Sequence, residues 1–119
     1  MNKVNLIQKF GLFNEYWSPK IVGELNGQLV KLGKFEGEFV WHKHDEEDEL
    51  FYVVKGSFRM ELRDQNIELT EGDMIIVPKG VEHRPVAEKE AWVMLFEPAS
   101  TLNTGDVIDK KTLYVLDRI

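Results

Sequence analysis

Cysteine is absent from the sequence, and its absence excludes disulfide bridges, thiolate metal ligands and cysteine nucleophiles. No apolar stretch is long enough to span a bilayer, and residues 1–17 lack the apolar run and cleavage site of a signal peptide. Positive charge is also scarce, since 15 Lys and Arg face 21 Asp and Glu and leave a net charge of −6. An acidic surface repels nucleic-acid phosphates and anionic membranes. We therefore expect a cytoplasmic protein with no nucleic-acid partner and no membrane partner.

The chain of 119 residues is long enough for one hydrophobic core and too short for two. Hydrophobic residues make up 43% and charged residues 30%, the ordinary balance of a globular domain. We divide this single domain into a core over residues 21–98, an N-terminal arm over 1–20 and a C-terminal tail over 99–119. The arm is apolar but too short for a core of its own, so it must pack on this domain or on a neighbouring copy. The tail ends in LYVLDRI, which is expected to form a docked strand or an arm.

From residue 21 onward, short runs of β-branched and aromatic residues alternate with turn residues. Asn26 and Gly27 predict a tight hairpin, because both residue types tolerate positive φ. We expect a second turn at Glu36 and Gly37, and a short helical turn over residues 4–10. Many short strands with little helix indicate a sandwich or a closed barrel. The predicted strands are 21–25, 28–35, 38–44, 49–55, 57–63, 66–70, 74–78, 83–88 and 91–97.

The three histidines of the chain lie at positions 42, 44 and 83. His42 and His44 are two residues apart on a predicted strand, so both rings should emerge from the same face. A hairpin after the acidic turn 45–48 would return Glu49 to the histidine strand, while His83 must come from a different strand. Imidazole nitrogens and a carboxylate oxygen are ligands for divalent metals. Taken singly, the same residues also fit a solvent-facing polar stripe, a surface histidine and a solvated loop.

Two segments resemble the characteristic motifs of the cupin family. Residues 37–56, GEFVWHKHDEEDELFYVVKG, resemble the first motif, with its glycine, H-x-H pair, glutamate and closing glycine. Residues 72–83, GDMIIVPKGVEH, resemble the second motif, with its glycine, P-x-G and histidine. The resemblance covers about residues 30–98 and implies an all-β, double-stranded β-helix, the jelly-roll barrel of small single-domain cupins. It also implies one divalent metal ion, with the ligands His42, His44, Glu49 and His83.

The sequence departs from the family motifs at two positions. Gly37 precedes the H-x-H pair by one residue fewer than usual, and Ala87 stands where the second motif often has asparagine. Neither departure affects an implied ligand. Asp48 is the competing carboxylate for the metal, but the closing Gly56 is correctly spaced from Glu49. We therefore prefer Glu49 as the ligand.

Three imidazoles and one carboxylate suit any of Fe, Mn, Ni, Co, Cu and Zn as the divalent ion. Four protein ligands leave two positions of an octahedron open for water, dioxygen or a chelating substrate. Val40, Phe51 and Val53 share the alternation parity of the implied ligands, so we expect them to line the substrate pocket.

The predicted strand 91–97 leaves two possibilities for the inner wall of the barrel. The inward set is either Trp92, Met94 and Phe96 or Val93, Leu95 and Glu97. In the second case Glu97 would be a candidate general base beside the metal, although a charged group in an apolar barrel is costly. No other catalytic residue is identified.

The implied site indicates a small metal-dependent enzyme, with dioxygenase-type chemistry on a small organic molecule as the first hypothesis. Similar single-domain cupins are often labelled mannose-6-phosphate isomerase-like, so a sugar or sugar-phosphate isomerase is an alternative. No arginine or lysine is evident near the site to hold a phosphate, which favours the oxygenase. A ligand-sensing module without catalysis and a structural protein with a vestigial metal site are further alternatives. Small cupins commonly form homodimers, and a homodimer is expected here.

Overall fold

The computed structural model describes residues 1–119 as seven strands, one short helix and a long C-terminal tail. The helix α1 spans Leu6–Phe10, and the side chain of Asn5 caps it by accepting a hydrogen bond from the backbone N–H of Gln8 at 3.0 Å. With five residues, α1 is too short to cross a bilayer, and the structure has no other helix. The strands are β1 (Lys20–Leu25), β2 (Gln28–Glu38), β3 (Glu49–Lys55), β4 (Ser57–Leu62), β5 (Asn66–Thr70), β6 (Met74–Val77) and β7 (His83–Pro98).

The long strand β7 organises the sheet. All strand pairs are antiparallel, and the main sheet has the order β1-β2-β7-β3-β6. The 16 residues of β7 pair with β2 along most of their length, with β4 in the first half and with β3 in the second half. Strand β5 is added by pairing with β4. Strand β7 thus belongs both to the main sheet and to the group β5-β4-β7. Because it joins the two, the sheet closes around one core and forms the double-stranded β-helix that the motifs imply.

Alternate residues of the central strands fill the interior. On β3 the buried positions are Glu49, Phe51 and Val53, as the period of a strand requires. On β7 the buried positions in the second half are Ala91, Val93, Leu95 and Glu97. The inward set on this strand is therefore the one that contains Glu97. The barrel core consists of Trp17, Phe35, Phe39, Phe51, Val53, Phe58, Met60, Leu69, Val77, Ala87, Ala91, Val93 and Leu95.

Three of the strand and turn predictions need correction. Residues 39–48 form a loop instead of the strand predicted over 38–44, and only His42 makes an isolated bridge, to His83. The strands predicted over 83–88 and 91–97 are one continuous strand, β7. The turn predicted at Glu36 and Gly37 is an irregular step inside β2, opposite the extra residues 88–90 of β7, and Gly37 at φ 77° lets β2 bend and continue to Glu38. The hairpin at Asn26 and Gly27, with φ of 50° and 78°, is as predicted.

The arm and the tail both pack on the barrel of their own chain. Phe10 is completely buried and stacks on Trp92 with ring centroids 4.8 Å apart. Phe13 and Leu32 complete this second, smaller core on the outer face of the sheet. The tail runs back along β1 without forming a strand, and its last backbone N–H donates to the carbonyl oxygen of Ile21 at 3.0 Å.

Candidate metal centre

The four implied ligands come from three separate parts of the fold. His42 and His44 lie in the loop 39–48, Glu49 is the first residue of β3 and His83 is the first residue of β7. Two backbone hydrogen bonds join the loop to β7: His42 N–H donates to His83 O at 3.1 Å, and His83 N–H donates to His42 O at 2.9 Å. This bridge fixes the spacing of the two rings, whose centroids are 4.3 Å apart.

The side chains of these four residues converge inside the barrel. One ligand atom from each lies within 4.8 Å of those of the other three, and all four residues are buried. Oε1 of Glu49 is 3.2 Å from Nε2 of His44 and 3.3 Å from Nε2 of His83. The arrangement has the compactness of a coordination shell, so this group could hold a metal ion.

Unsatisfied polar atoms show that the cluster fits a cation. Nε2 of His83, both ring nitrogens of His44 and Oε1 of Glu49 are buried without a hydrogen-bond partner, despite their short mutual distances. An orphaned buried polar atom costs about 1–3 kcal/mol, so native structures seldom leave several together. A divalent ion would satisfy these atoms at once, because neutral imidazoles and a carboxylate present lone pairs to it.

Backbone carbonyls orient two of the imidazole rings. Nδ1 of His42 lies 2.8 Å from the carbonyl oxygen of Val40, and Nδ1 of His83 lies 2.9 Å from that of Val81. Since a carbonyl only accepts, each Nδ1 must carry the proton, and each Nε2 keeps its lone pair for a metal.

The protonation states of the cluster suit metal binding. Burial, followed by the neighbouring His83, lowers the pKa of His42 to about 4, so the ring is neutral at pH 7. Burial by itself would raise the pKa of Glu49, but the close approach of Glu97, His44 and His83 holds it well below its ordinary value. A neutral imidazole and an ionised carboxylate need not lose a proton before they bind a cation.

Glu97 is a fifth polar group at the centre. Its side chain is 3% exposed, and Lys31 donates to its Oε1 at 2.7 Å in an ion pair that is itself buried. Its Oε2 is buried without a hydrogen-bond partner. Burial and the negative charge of Glu49 raise the pKa of Glu97 well above the ordinary value. Protonation is therefore favoured at Glu97 over Glu49.

A small cavity of about 30 Å³ adjoins the cluster. A space of this size holds about two water molecules. The wall contains no lysine or arginine, and it consists of Trp17, Pro19, Phe35, Phe39, His42, Glu49, Phe51, Pro85, Leu95, Glu97 and Asn103.

The residues expected to line the pocket occupy different places. Phe51 lies in the cavity wall. Val53 is completely buried in the barrel core and is not part of the cavity wall. It lies two residues beyond Phe51 on β3 and is therefore farther from Glu49. Val40 also stays out of the wall, since the loop it belongs to is not a strand and its carbonyl oxygen orients His42. Asp48, the competing carboxylate, is exposed and accepts a hydrogen bond from the backbone of Lys79 at 2.9 Å.

Three wall residues come from parts of the chain in which no sequence motif indicates a site: Trp17 and Pro19 of the arm and Asn103 of the tail. Trp17 belongs to the arm, and its backbone has a left-handed φ of 57°, a strained conformation for a bulky residue. Stacking on Phe35 at 4.5 Å and a hydrogen bond from the indole N–H to Glu36 O at 2.9 Å hold it there. Asn103 belongs to the tail and reaches the cavity from the other side.

The fold and the site define a class: small antiparallel barrels with three histidines and one glutamate gathered inside, able to hold a metal ion. The model of the family described as "Cupin domain" matches residues 28–97, and the chain belongs to that family.

The chain is similar to several known proteins, one of them with a solved structure of the same fold. A crystal structure of a cupin-2 domain containing protein from Shewanella frigidimarina is 49% identical, with a TM-score of 0.79 over 80% of this chain and 93% of that chain. The Bacillus subtilis protein YdbB is 38% identical over 64 residues, which are 53% of this chain and 57% of YdbB. The acireductone dioxygenase of Puccinia graminis is 33% identical over 82 residues, 64% of this chain and 42% of that protein. The chain thus spans about half the length of these two curated relatives.

Proposed function

We propose that the protein is a metal-dependent oxygenase that acts on a small, largely apolar organic molecule. The observation that carries the proposal is the set of four buried, converging ligand atoms beside a cavity with a mainly apolar wall. A redox-active divalent metal, when bound, would supply dioxygen activation and a Lewis acid for substrate oxygens. The similarity to proteins named acireductone dioxygenase supports this type of chemistry.

The residues of the chain would hold the metal and shape its surroundings. His42, His44, Glu49 and His83 are the proposed ligands, and the carbonyls of Val40 and Val81 keep two of the rings in position. Aromatic side chains line the cavity and give the reacting groups mainly apolar surroundings. An apolar wall favours a substrate that presents only one or two oxygen atoms, those that face the metal.

Glu97 is the proposed proton-transfer group, because it is one of the β7 residues that face the interior of the barrel. Lys31 donates to Oε1, which leaves Oε2 without a hydrogen-bond partner, and Glu97 is one of the residues of the cavity wall. A carboxyl group at this position can take a proton from a hydroxyl of the substrate or return one to it.

The cavity is a poor site for a sugar phosphate. A phosphate needs cationic donors, but no lysine or arginine lies in the wall. Lys31 is committed to Glu97, and Lys43 points outward to Asp45 at 3.3 Å. The isomerase alternative therefore lacks its phosphate-binding group, and a non-phosphorylated substrate fits better.

The first experiment measures metal content and oxygen consumption. The purified protein is reconstituted with Fe(II) and given enediols, diketones, phenols and thiols in turn while dissolved oxygen is recorded. We expect oxygen uptake with one of these classes, and its loss in His42→Ala, which removes a ligand. The matched control is Glu46→Gln, which changes an exposed carboxylate in the same loop.

Two results would count against the oxygenase. Failure of the wild-type protein to bind any divalent metal would overturn the metal centre itself. Thermal stabilisation by one of the compounds without oxygen uptake would instead identify a ligand-binding module.

The proton-transfer role of Glu97 is tested separately. Replacing Glu97 by Gln alone would leave Lys31 as an unpaired buried charge, so the double variant Lys31→Met/Glu97→Gln removes both members of the pair. We expect this variant to bind metal and to lose about 100-fold in kcat, a typical loss for a general base. An unchanged kcat would exclude Glu97 from proton transfer.

A further inference from the structure

The C-terminal tail is in direct contact with the segment that carries the two proposed histidine ligands. Lys43 is the residue between His42 and His44, and both of its backbone polar groups bind Asp106. The backbone N–H of Lys43 donates to Oδ1 of Asp106 at 2.9 Å, and the backbone N–H of Asp106 donates to Lys43 O at 3.0 Å. The H-x-H segment is thus bound by β7 on one side, through His83, and by the tail on the other.

Gly105 brings the tail closer to this segment than any other residue type would allow. A Cβ atom at position 105 would overlap the carbonyl oxygen of Lys43 and would lie 3.1 Å from Cδ2 of His42. Gly105 also has a left-handed φ of 56°, which glycine adopts without strain. Both the conformation and the close approach therefore require glycine.

The turn that presents Gly105 is itself held rigidly. The Asn103 side chain accepts from Leu113 N–H and donates to Lys111 O, both at 2.9 Å. Thr104 is completely buried, and its hydroxyl bonds that of Thr112 at 2.6 Å. These bonds connect the turn to the rest of the tail, so the turn can act as a fixed support.

We propose that residues 102–106 are a positioning element of the metal centre, which sets the backbone of Lys43 and through it the spacing of His42 and His44. The inference rests on the proposed metal centre. Its basis is that the loop 39–48 has no strand ladder to fix it: outside the tail, its backbone is held only by the bridge of His42 to His83 and by single hydrogen bonds from Phe39 N–H to Pro85 O and from Gly80 N–H to His44 O. Outer contacts that orient ligands typically change metal affinity by 10–100-fold when they are lost.

The first test compares Gly105→Ala with Gly27→Ala in the full-length protein. Both glycines have positive φ, but a Cβ at Gly27 meets nothing within 4 Å, so Gly27→Ala carries the backbone strain without the clash. Co(II) is titrated into each protein while its visible absorption is recorded. We expect the Kd of Gly105→Ala to rise about tenfold with an altered Co(II) spectrum, and Gly27→Ala to match the wild type.

A second pair of variants keeps the proposal testable if Gly105→Ala does not fold. Asp106→Ala removes the acceptor for Lys43 N–H, whereas Asp106→Asn retains a side-chain oxygen at the same place. We expect weaker Co(II) binding in Asp106→Ala and recovery of affinity and spectrum in Asp106→Asn. A purely structural contribution would change the melting temperature without changing the Co(II) spectrum.

Histidine ring NMR signals separate this inference from the metal proposal. The chain has only three histidines, so the metal-free protein gives three ring signals, all from the site. We expect the His42 and His44 signals to move in Gly105→Ala and Asp106→Ala but not in the two matched variants. Unchanged ring signals and an unchanged Kd would overturn the positioning role. If the wild type bound no Co(II) while the ring signals moved as expected, the metal proposal alone would fail.

Discussion

Glu61 shows how a carboxylate away from the metal centre is neutralised by ion pairs with two arginines. Glu61 on β4 accepts from Nε of Arg59 at 2.8 Å and from Nε of Arg84 at 2.8 Å. These hydrogen bonds, from Arg59 first and then Arg84, lower the pKa of Glu61 below 4.5. The folded protein therefore binds a proton at this carboxylate less readily than the unfolded chain does.

This difference predicts a pH-dependent contribution of Glu61 to stability. A carboxylate with a lowered folded pKa stabilises the fold above its unfolded value of 4.5, and the contribution is lost as pH falls through the folded pKa. We expect Glu61→Gln to lower the free energy of unfolding by about 1 kcal/mol at pH 7 and by little at pH 3. Urea unfolding at the two pH values measures the effect. A loss of equal size at both values would contradict the ionic explanation.

At the same scale, the proposed ligands could be predicted from the sequence and the remaining cavity residues could not. Histidine and glutamate are uncommon in a buried core, and their fixed spacing in two motifs identifies them. Trp17 and Asn103 carry no such signal, because an aromatic residue in an arm and an amide in a tail are ordinary. Their place in the cavity wall depends on how the arm and the tail pack, which a local pattern does not contain.

At the scale of elements, the loop 39–48 shows that alternation of inward and outward residues does not by itself predict a strand. The pattern of residues 38–44 is that of a strand, but the backbone groups of Lys43 bind Asp106 in the tail instead of a ladder. For β7, a local pattern could not exclude a break between residues 88 and 91. Pairing with β2 on both sides of residues 88–90, with β4 before them and with β3 after them holds the two halves of β7 in one strand. In both segments the secondary structure depends on contacts with distant parts of the chain, which a local sequence pattern does not contain.

The arm provides a prediction at the scale of elements. Phe10, at the end of α1, is completely buried against Trp92 and Leu32. We expect Phe10→Ala to destabilise the protein by about 3–5 kcal/mol, as for other buried aromatic residues. Leu12→Ala is the control, since Leu12 is 67% exposed two residues later. Thermal unfolding of both variants measures the difference, and equal melting temperatures would show that the arm is not docked in solution.

For the molecule as a whole, the outer face of the main sheet carries an apolar patch over β7, β3 and β6. The strand register forms two rows of neighbouring side chains across this face. In one row Leu50 lies between Phe96 and Ile76, and in the other Tyr52 lies between Met94 and Met74. Met74 and Ile76 are 54% and 52% exposed. Strand β6 also ends the sheet and leaves one edge unpaired. Exposed apolar patches and free edges are typical of surfaces that associate.

The homodimer expected from the sequence is predicted to use this patch. We expect light scattering after gel filtration to give twice the chain mass of 13.9 kDa, and Ile76→Lys to give a monomer. Ile108→Lys is the control, because Ile108 is an exposed apolar residue in the tail, outside the patch. A monomeric wild type would refute the dimer, and a dimeric Ile76→Lys would refute this location for its interface.

The strained Trp17 gives the protein a built-in optical reporter. Its indole stacks on Phe39 at 4.9 Å, and Phe39 meets the ring of His42 edge-on at 5.3 Å. A paramagnetic ion held by His42 would therefore lie close enough to quench the indole fluorescence. The chain also contains Trp41 and Trp92, so the quenching of Trp17 is measured as the difference between the wild type and Trp17→Phe. Filling of the cavity can thus be followed by light emission in the unlabelled protein.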